Sequence, residues 1–168
     1  MDNVVFGFDL FFGGLLQLIG GLHERARNNV FGFTGFIVYG RFWMSWVASL
    51  FLKVIGNDIP VNPHAVQAML SLMGTFTFVM FLCTFVMNMT ISLLFFLLMM
   101  TFFLLAGGVN NETVDKVAGW FGMTTAVTAY WLGSVELIND VIGGGEDLIP
   151  LGHWGANKFQ FAEVMHVP

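Results

Sequence analysis

The chain has 168 residues, of which 57% are hydrophobic and 10% charged, with a formal net charge of −5. Soluble domains carry about 25% charged residues, and a water-soluble fold of this size has no room to hide twenty phenylalanines and eleven methionines. This composition excludes a soluble enzyme domain and a basic nucleic-acid binder, and it predicts an all-α, polytopic transmembrane helix bundle whose helices satisfy their own backbone groups.

A bilayer core takes about 20 mostly apolar residues per helix, and five stretches meet that need. The first runs from about Val4 to Leu22 and ends at "HERARNN". It lacks a basic start and a small-residue cleavage site, so it reads as a retained helix rather than a signal peptide. The second covers about Val30 to Ile55 and stops at "GNDIPVNPH", where Gly, Asn and two prolines break a helix. From Ala65 to Gly108 the chain is apolar for longer than one span, with "MNMT" (Met87 to Thr90) as the polar break. It must therefore fold back, giving a third helix over about 65–86 and a fourth over about 90–108. A fifth is expected from about Val117 to Val141, closed by "GGGEDLIPLG". Residues 1–152 form the membrane domain and 153–168 a peripheral tail.

Arg25, Arg27 and Lys158 lie on one side of this layout, and Lys53 and Lys116 on the other. The small bias puts "HERARNN" and the C-terminus in the cytoplasm. Five spans then leave the N-terminus outside, as though a preceding helix were missing. Glycines at helical spacing, Gly13 and Gly14, Gly20 and Gly21, Gly32 and Gly35, Gly119 and Gly122, mark close helix packing. Cys83 is a lone thiol in an apolar run and reads as a small buried hydrophobe. His23, His64, His153 and His166 have no metal-ligand spacing, "GGGED" lacks the Lys of a phosphate loop, and no nucleophile–base pair argues for an enzyme. Neither a metal nor a cofactor is expected.

Several strings, in order, resemble the acetate uptake transporter (succinate–acetate permease) family. They are "FFGGLLQLIGGLHE", "NNVFGFTGF", "YGRFWMS", "LLFFLLMMTFFLLA", "AGWFGMTTAVTAYW" and "IPLG". The resemblance implies a six-helix protomer with its own pore, assembled as a homo-hexamer, moving acetate and other short carboxylates by proton symport or as a channel. The chain departs from that pattern at its front. The family's first helix, with its Asn-Pro-Ala-Pro-Leu-Gly type opening, is absent, so five spans stand where the family has six. A gene model that starts at an internal Met is the expected cause, with a natural five-helix variant as the alternative.

The resemblance places Tyr39 and Leu98 at the family's constriction and Ala129 at a small residue lining the pore. Gln17 follows the first glycine pair and is a path candidate or an interhelical hydrogen-bonder. Glu136 and Asn139, three apart on the last helix, also match the family. They are candidates for a proton relay, with a solvated surface pair as the alternative. Asn28 matches a loop motif and reads as structural, and Glu24 is expected to pair with Arg25 or Arg27.

Arg41 sits in mid-span, two residues and about 200° round the helix from Tyr39. If Tyr39 faces the pore, Arg41 points away from it. A hairpin turning at residues 26 and 27 would put Asp9 within reach, so a structural Asp9–Arg41 ion pair is expected, within a protomer or across a subunit contact. The function expected is passage of acetate-like carboxylates, succinate included, through a plasma membrane. A channel for ammonia or urea, and a membrane fragment that transports nothing, are the alternatives.

Overall fold

The computed structural model describes residues 3–55, 61–152 and 154. Five helical rods make up almost all of it. The first, α1, spans 3–26 as an α-helix over Asn3–Phe8, a π-helix over Asp9–Leu16 and an α-helix over Gln17–Ala26. The second, α2, is Val30–Ile55. Then come α3, Pro63–Cys83 with a 3₁₀ turn Thr84–Val86, α4, Met89–Gly108, and α5, Glu112–Val141. The chain divides into two compact units, Met1–Asn62 and Pro63–Pro168.

Rods α1 to α4 are each long and apolar enough to cross a membrane. Rod α5 carries Glu112, Asp115 and Lys116 at its start and Glu136 and Asp140 near its end, and the 19 residues 117–135 between them are uncharged. It starts earlier than the expected Val117. Asn111 caps it by accepting from the N–H groups of Thr113 and Val114 at 3.1 and 3.2 Å, and the acids of the first turn face the positive end of the helix dipole. Likewise Pro63 opens α3 at the first helical position, where its missing N–H costs nothing.

In the first unit the hairpin turn is built from Glu24, Asn28, Asn29 and Gly32. Asn28 takes a left-handed φ of 60°, which Asn tolerates better than other non-glycine residues. The Asn29 N–H then reaches the Glu24 carbonyl at 2.9 Å and the Asn28 N–H that of Arg25 at 3.1 Å, closing the end of α1 in a Schellman motif. Asn29 caps α2 by accepting from the Gly32 N–H at 3.0 Å and donates to the Glu24 carboxylate at 2.5 Å. Glu24 also pairs with Arg27 at 3.9 Å, as one of the expected alternatives had it.

Glycines let α1 and α2 touch along the hairpin. A Cβ at Gly40 would stand 3.0 Å from the Gly14 carbonyl oxygen and 3.1 Å from Leu18 Cγ. One at Gly21 would stand 3.0 Å from the Ile37 side chain, and one at Gly13 3.0 Å from the Trp43 indole. The two glycine pairs of α1 do share a packing face, and their role here is helix approach.

In the second unit α4 packs against both α3 and α5. Asn88 caps α4 through the Ile91 N–H at 2.8 Å. Buried hydroxyls return to their own helices, as Thr77 does to the Met73 carbonyl at 2.7 Å. Beyond α5 the chain folds back over the α3–α4 turn. Met89 and Thr90 donate their N–H groups to the carbonyls of Gly152 and Leu151 at 3.0 and 3.2 Å, and Gly152 accommodates this with a φ of 79°. The tail expected over 153–168 lies outside the described residues except for Trp154, and so do His153, Lys158 and His166.

Candidate functional site

Each unit places its own share of the expected path residues. In the hairpin, Trp43 covers Gly13, which fixes the flanks of the two helices. Gln17 stands one turn on from Gly13, and Tyr39 one turn before Trp43. In an antiparallel pair these fall side by side on the same flank. Tyr39 is buried, with 7% of its surface exposed. Gln17 is half-buried, and its carboxamide has no hydrogen-bond partner among the described residues. The interhelical bond that was the alternative for Gln17 is therefore not made within the hairpin.

Arg41 is on the opposite flank and exposed, as its 200° separation from Tyr39 requires. The expected Asp9–Arg41 pair does not form within the chain. The ion pairs among the described residues are Glu24–Arg27 and Glu112–Lys116. The reason is register. The hairpin turns at Asn28 and Asn29, two residues later than expected, so Arg41 stands level with about residue 16. Asp9 lies about seven residues further along, roughly 10 Å at 1.5 Å per residue. Side chains also tilt toward their own helix N-terminus, which directs these two apart in antiparallel helices.

In the second unit the α4–α5 seam carries one hydroxyl pair, Thr101 Oγ1 to Thr125 Oγ1 at 3.3 Å, buried on both sides. Leu98 lies about one turn before Thr101, in the buried stripe of Ile91, Phe95, Phe102 and Ala106, and is itself half-buried. Ala129 lies one turn after Thr125 and is exposed. The two stand at nearly the same level on the same flank of the seam. Thr101 and Thr125 escaped sequence reasoning. Their signal was a lone hydroxyl in the apolar run "LLMMTFF" for Thr101, and for Thr125 one of three threonines in "FGMTTAVTAYW".

Asn139 is held by the segment that follows α5. Its Nδ2 donates to the Ile149 carbonyl at 3.0 Å and its Oδ1 accepts from the Ile149 N–H at 2.9 Å. One N–H and one lone pair of the amide are used, and Asn139 clamps the returning segment. Glu136 is exposed on α5.

A cavity of about 410 Å³ opens at the α3–α4 turn, walled by Phe81, Phe85, Leu93, Phe96 and Trp154. Trp154 closes one side, with its Nε1 donating to Ser92 Oγ at 3.0 Å and its ring 5.4 Å from that of Phe85. It contains none of the expected path residues.

Comparison with known proteins agrees with this architecture. Residues 1–142 match the GPR1/FUN34/yaaH family. The chain belongs to that family. Among its curated members, the succinate-acetate/proton symporter SatP of Escherichia coli K12 is 32% identical over 154 residues, covering 90% of this chain and 81% of that protein. Acetate permease A of Emericella nidulans is 32% identical, covering 90% of this chain and 56% of its own length. The solved structure of the bacterial acetate channel SatP superposes with a TM-score of 0.85 at 32% identity, over 90% of this chain and 84% of that one. This GPR1/FUN34/yaaH protein is an integral membrane protein, helical over nearly all of its described residues, and the three relatives named above are a symporter, a permease and a channel.

Proposed function

We propose that this protein passes acetate and similar short carboxylates, succinate among them, across the plasma membrane, by proton coupling or as a channel. The observation that carries the reading is the 0.85 TM-score and 32% identity with an acetate channel over 90% of the chain. The relatives' names include both a proton symporter and a channel, so the coupling is the finer point to be tested.

A carboxylate path needs a narrow apolar bore and a few polar groups in place of water. Tyr39 fits the constriction, because a buried ring narrows a path while its hydroxyl donates to a passing carboxylate. Gln17 beside it offers an amide N–H. Leu98 and Ala129, level with each other on one flank of the α4–α5 seam, supply an apolar wall, and the methyl of Ala129 leaves space that a larger side chain would fill. Glu136 is the titratable candidate at the far end of α5. In this reading the protomers assemble as a homo-hexamer, with the C-terminus in the cytoplasm.

Uptake of labelled acetate in a strain lacking its own permease tests the reading. Acetate uptake that Ala129→Phe reduces at least about tenfold, a loss of about 1.4 kcal/mol in barrier terms, supports it. Uptake of ammonia or urea without acetate, or no uptake of any of the three, sinks it.

A further inference from the structure

The π-helical stretch Asp9–Leu16 lends Gly13 and Gly14 to the hairpin packing, but the acid at its head has no part in it. Runs of i→i+5 bonding are rare, mostly a single turn, and recur at functional sites. Here the stretch is eight residues long. It also changes where Asp9 points. An α-helix would turn Asp9 about 140° away from Gly14, onto the outer face of the hairpin. The wider π turns reduce that angle, and the main chain shows the winding: the Asp9 carbonyl oxygen lies 3.4 Å from the Cβ position of Gly14, five residues on. The burial pattern agrees: Phe8, Phe11 and Phe12 are 57%, 56% and 62% exposed, whereas Asp9 among them is half-buried.

An ionised carboxylate facing hydrocarbon costs about 3 kcal/mol at mid-span and less toward the ends, and Asp9 lies near the start of the span Val4–Ala26. The π stretch moves Asp9 off that face and onto the flank that carries Gly13 and Gln17, the flank of Tyr39 and Trp43. We propose that Asp9 is a proton-binding group on the translocation path, set there by the π turns, with Gln17 and Tyr39 as the next polar groups along the same flank. This deepens the transport reading and rests on it.

The step balances with water as the proton source. The carboxylate of Asp9 takes a proton from one side, the neutral acid releases it to the other, and no bond other than O–H is made or broken. The titratable or charged side chains of α2, the element packed on this stretch, are Tyr39, Arg41 and Lys53. Arg41 is on the opposite flank. Lys53 stands about five residues, roughly 7 Å, beyond the level of Asp9. Neither is ion-paired with Asp9, so no cation on α2 locks the carboxylate in its charged form.

The test is acetate uptake into proteoliposomes as a function of pH, with protein-free vesicles as the blank for acetic acid diffusing through lipid. The native protein is expected to gain up to about tenfold per pH unit on the acid side, the response of one titrating group. Asp9→Asn flattens that profile to within about twofold, the factor left when the titrating group is gone. Asp9→Glu keeps a titratable carboxyl and retains a pH-dependent profile, which decides the matter if the Asn variant fails to assemble on size exclusion. A native profile flat with pH, an Asp9→Asn profile superimposable on the native one, or a flat Asp9→Glu profile overturns the role of Asp9 and leaves acetate transport standing. No acetate uptake by the native protein overturns both.

Discussion

The two units of this chain solve the same packing problem by different means. In the hairpin of α1 and α2, backbone meets backbone, with Gly40 against the Gly14 carbonyl. In the second unit main chain comes close at the α4–α5 turn, where a Cβ at Gly108 would stand 2.8 Å from Asp115 Cα, and side chains fill the space along the helix seams. A Cβ at Gly74, for instance, would stand 2.9 Å from the ring of Phe103, a residue that is 41% exposed. Lipid gives no hydrophobic push between helices, so the hairpin depends on close approach, while the second unit adds hydroxyl bonds, caps and a returning segment. A main-chain contact cannot yield, and a ring can.

The sharpest way to break that contrast is Gly40→Leu. Overpacking a tight contact costs about 1–3 kcal/mol, and here the neighbour is main chain, so a cost of about 3 kcal/mol or more is expected. It should appear as lost monodispersity in detergent and a large fall in thermal midpoint. Next comes Asn139→Leu, which leaves the N–H and carbonyl of Ile149 without their partner. Each such group costs about 1–3 kcal/mol when shut off from water. Ile149 is half-buried, so a total of about 2 kcal/mol is expected, with faster hydrogen exchange at residues 149–152. Asn29→Ala removes the cap of α2 and the Glu24 partner together, for about 1 kcal/mol, measured as a smaller shift in the same melting assay.

The smallest effects belong to the second unit's seams. Thr101→Val removes an interhelical bond of a kind that averages about 0.6 kcal/mol in membranes. Gly74→Ala asks Phe103 to move, for about 1 kcal/mol or less. If Gly74→Ala destabilised as much as Gly40→Leu, the distinction between the two units would fail.

The span boundaries were legible because apolar length is a local property. Prolines, glycines and asparagines stopped the helices close to where they stop in the structure. Asn88 was expected at the α3–α4 turn and caps α4 there. The hairpin turn was misplaced by only two residues. Antiparallel partners slide by twice such an error, so Arg41 moved four residues out of register and does not pair with Asp9 within the chain. Asn139 was legible as a polar residue inside a span. Its partner, ten residues on in Ile149, was not, because a clamp depends on where the chain returns.

By itself the sequence determined the solvent this protein lives in, the number and extent of its helical rods, the phase that separates Tyr39 from Arg41, and the family. Each of these follows from composition, from a fixed rise and turn per residue, or from an ordered set of strings. The tertiary structure alone decided which helices touch and at what register. It also wound Asp9–Leu16 into π turns with Asp9 half-buried at their head, bound Asn139 to Ile149, and set Leu98 level with Ala129. Those outcomes depend on contacts between residues far apart in the chain, whose energies appear only once the backbones have been brought together.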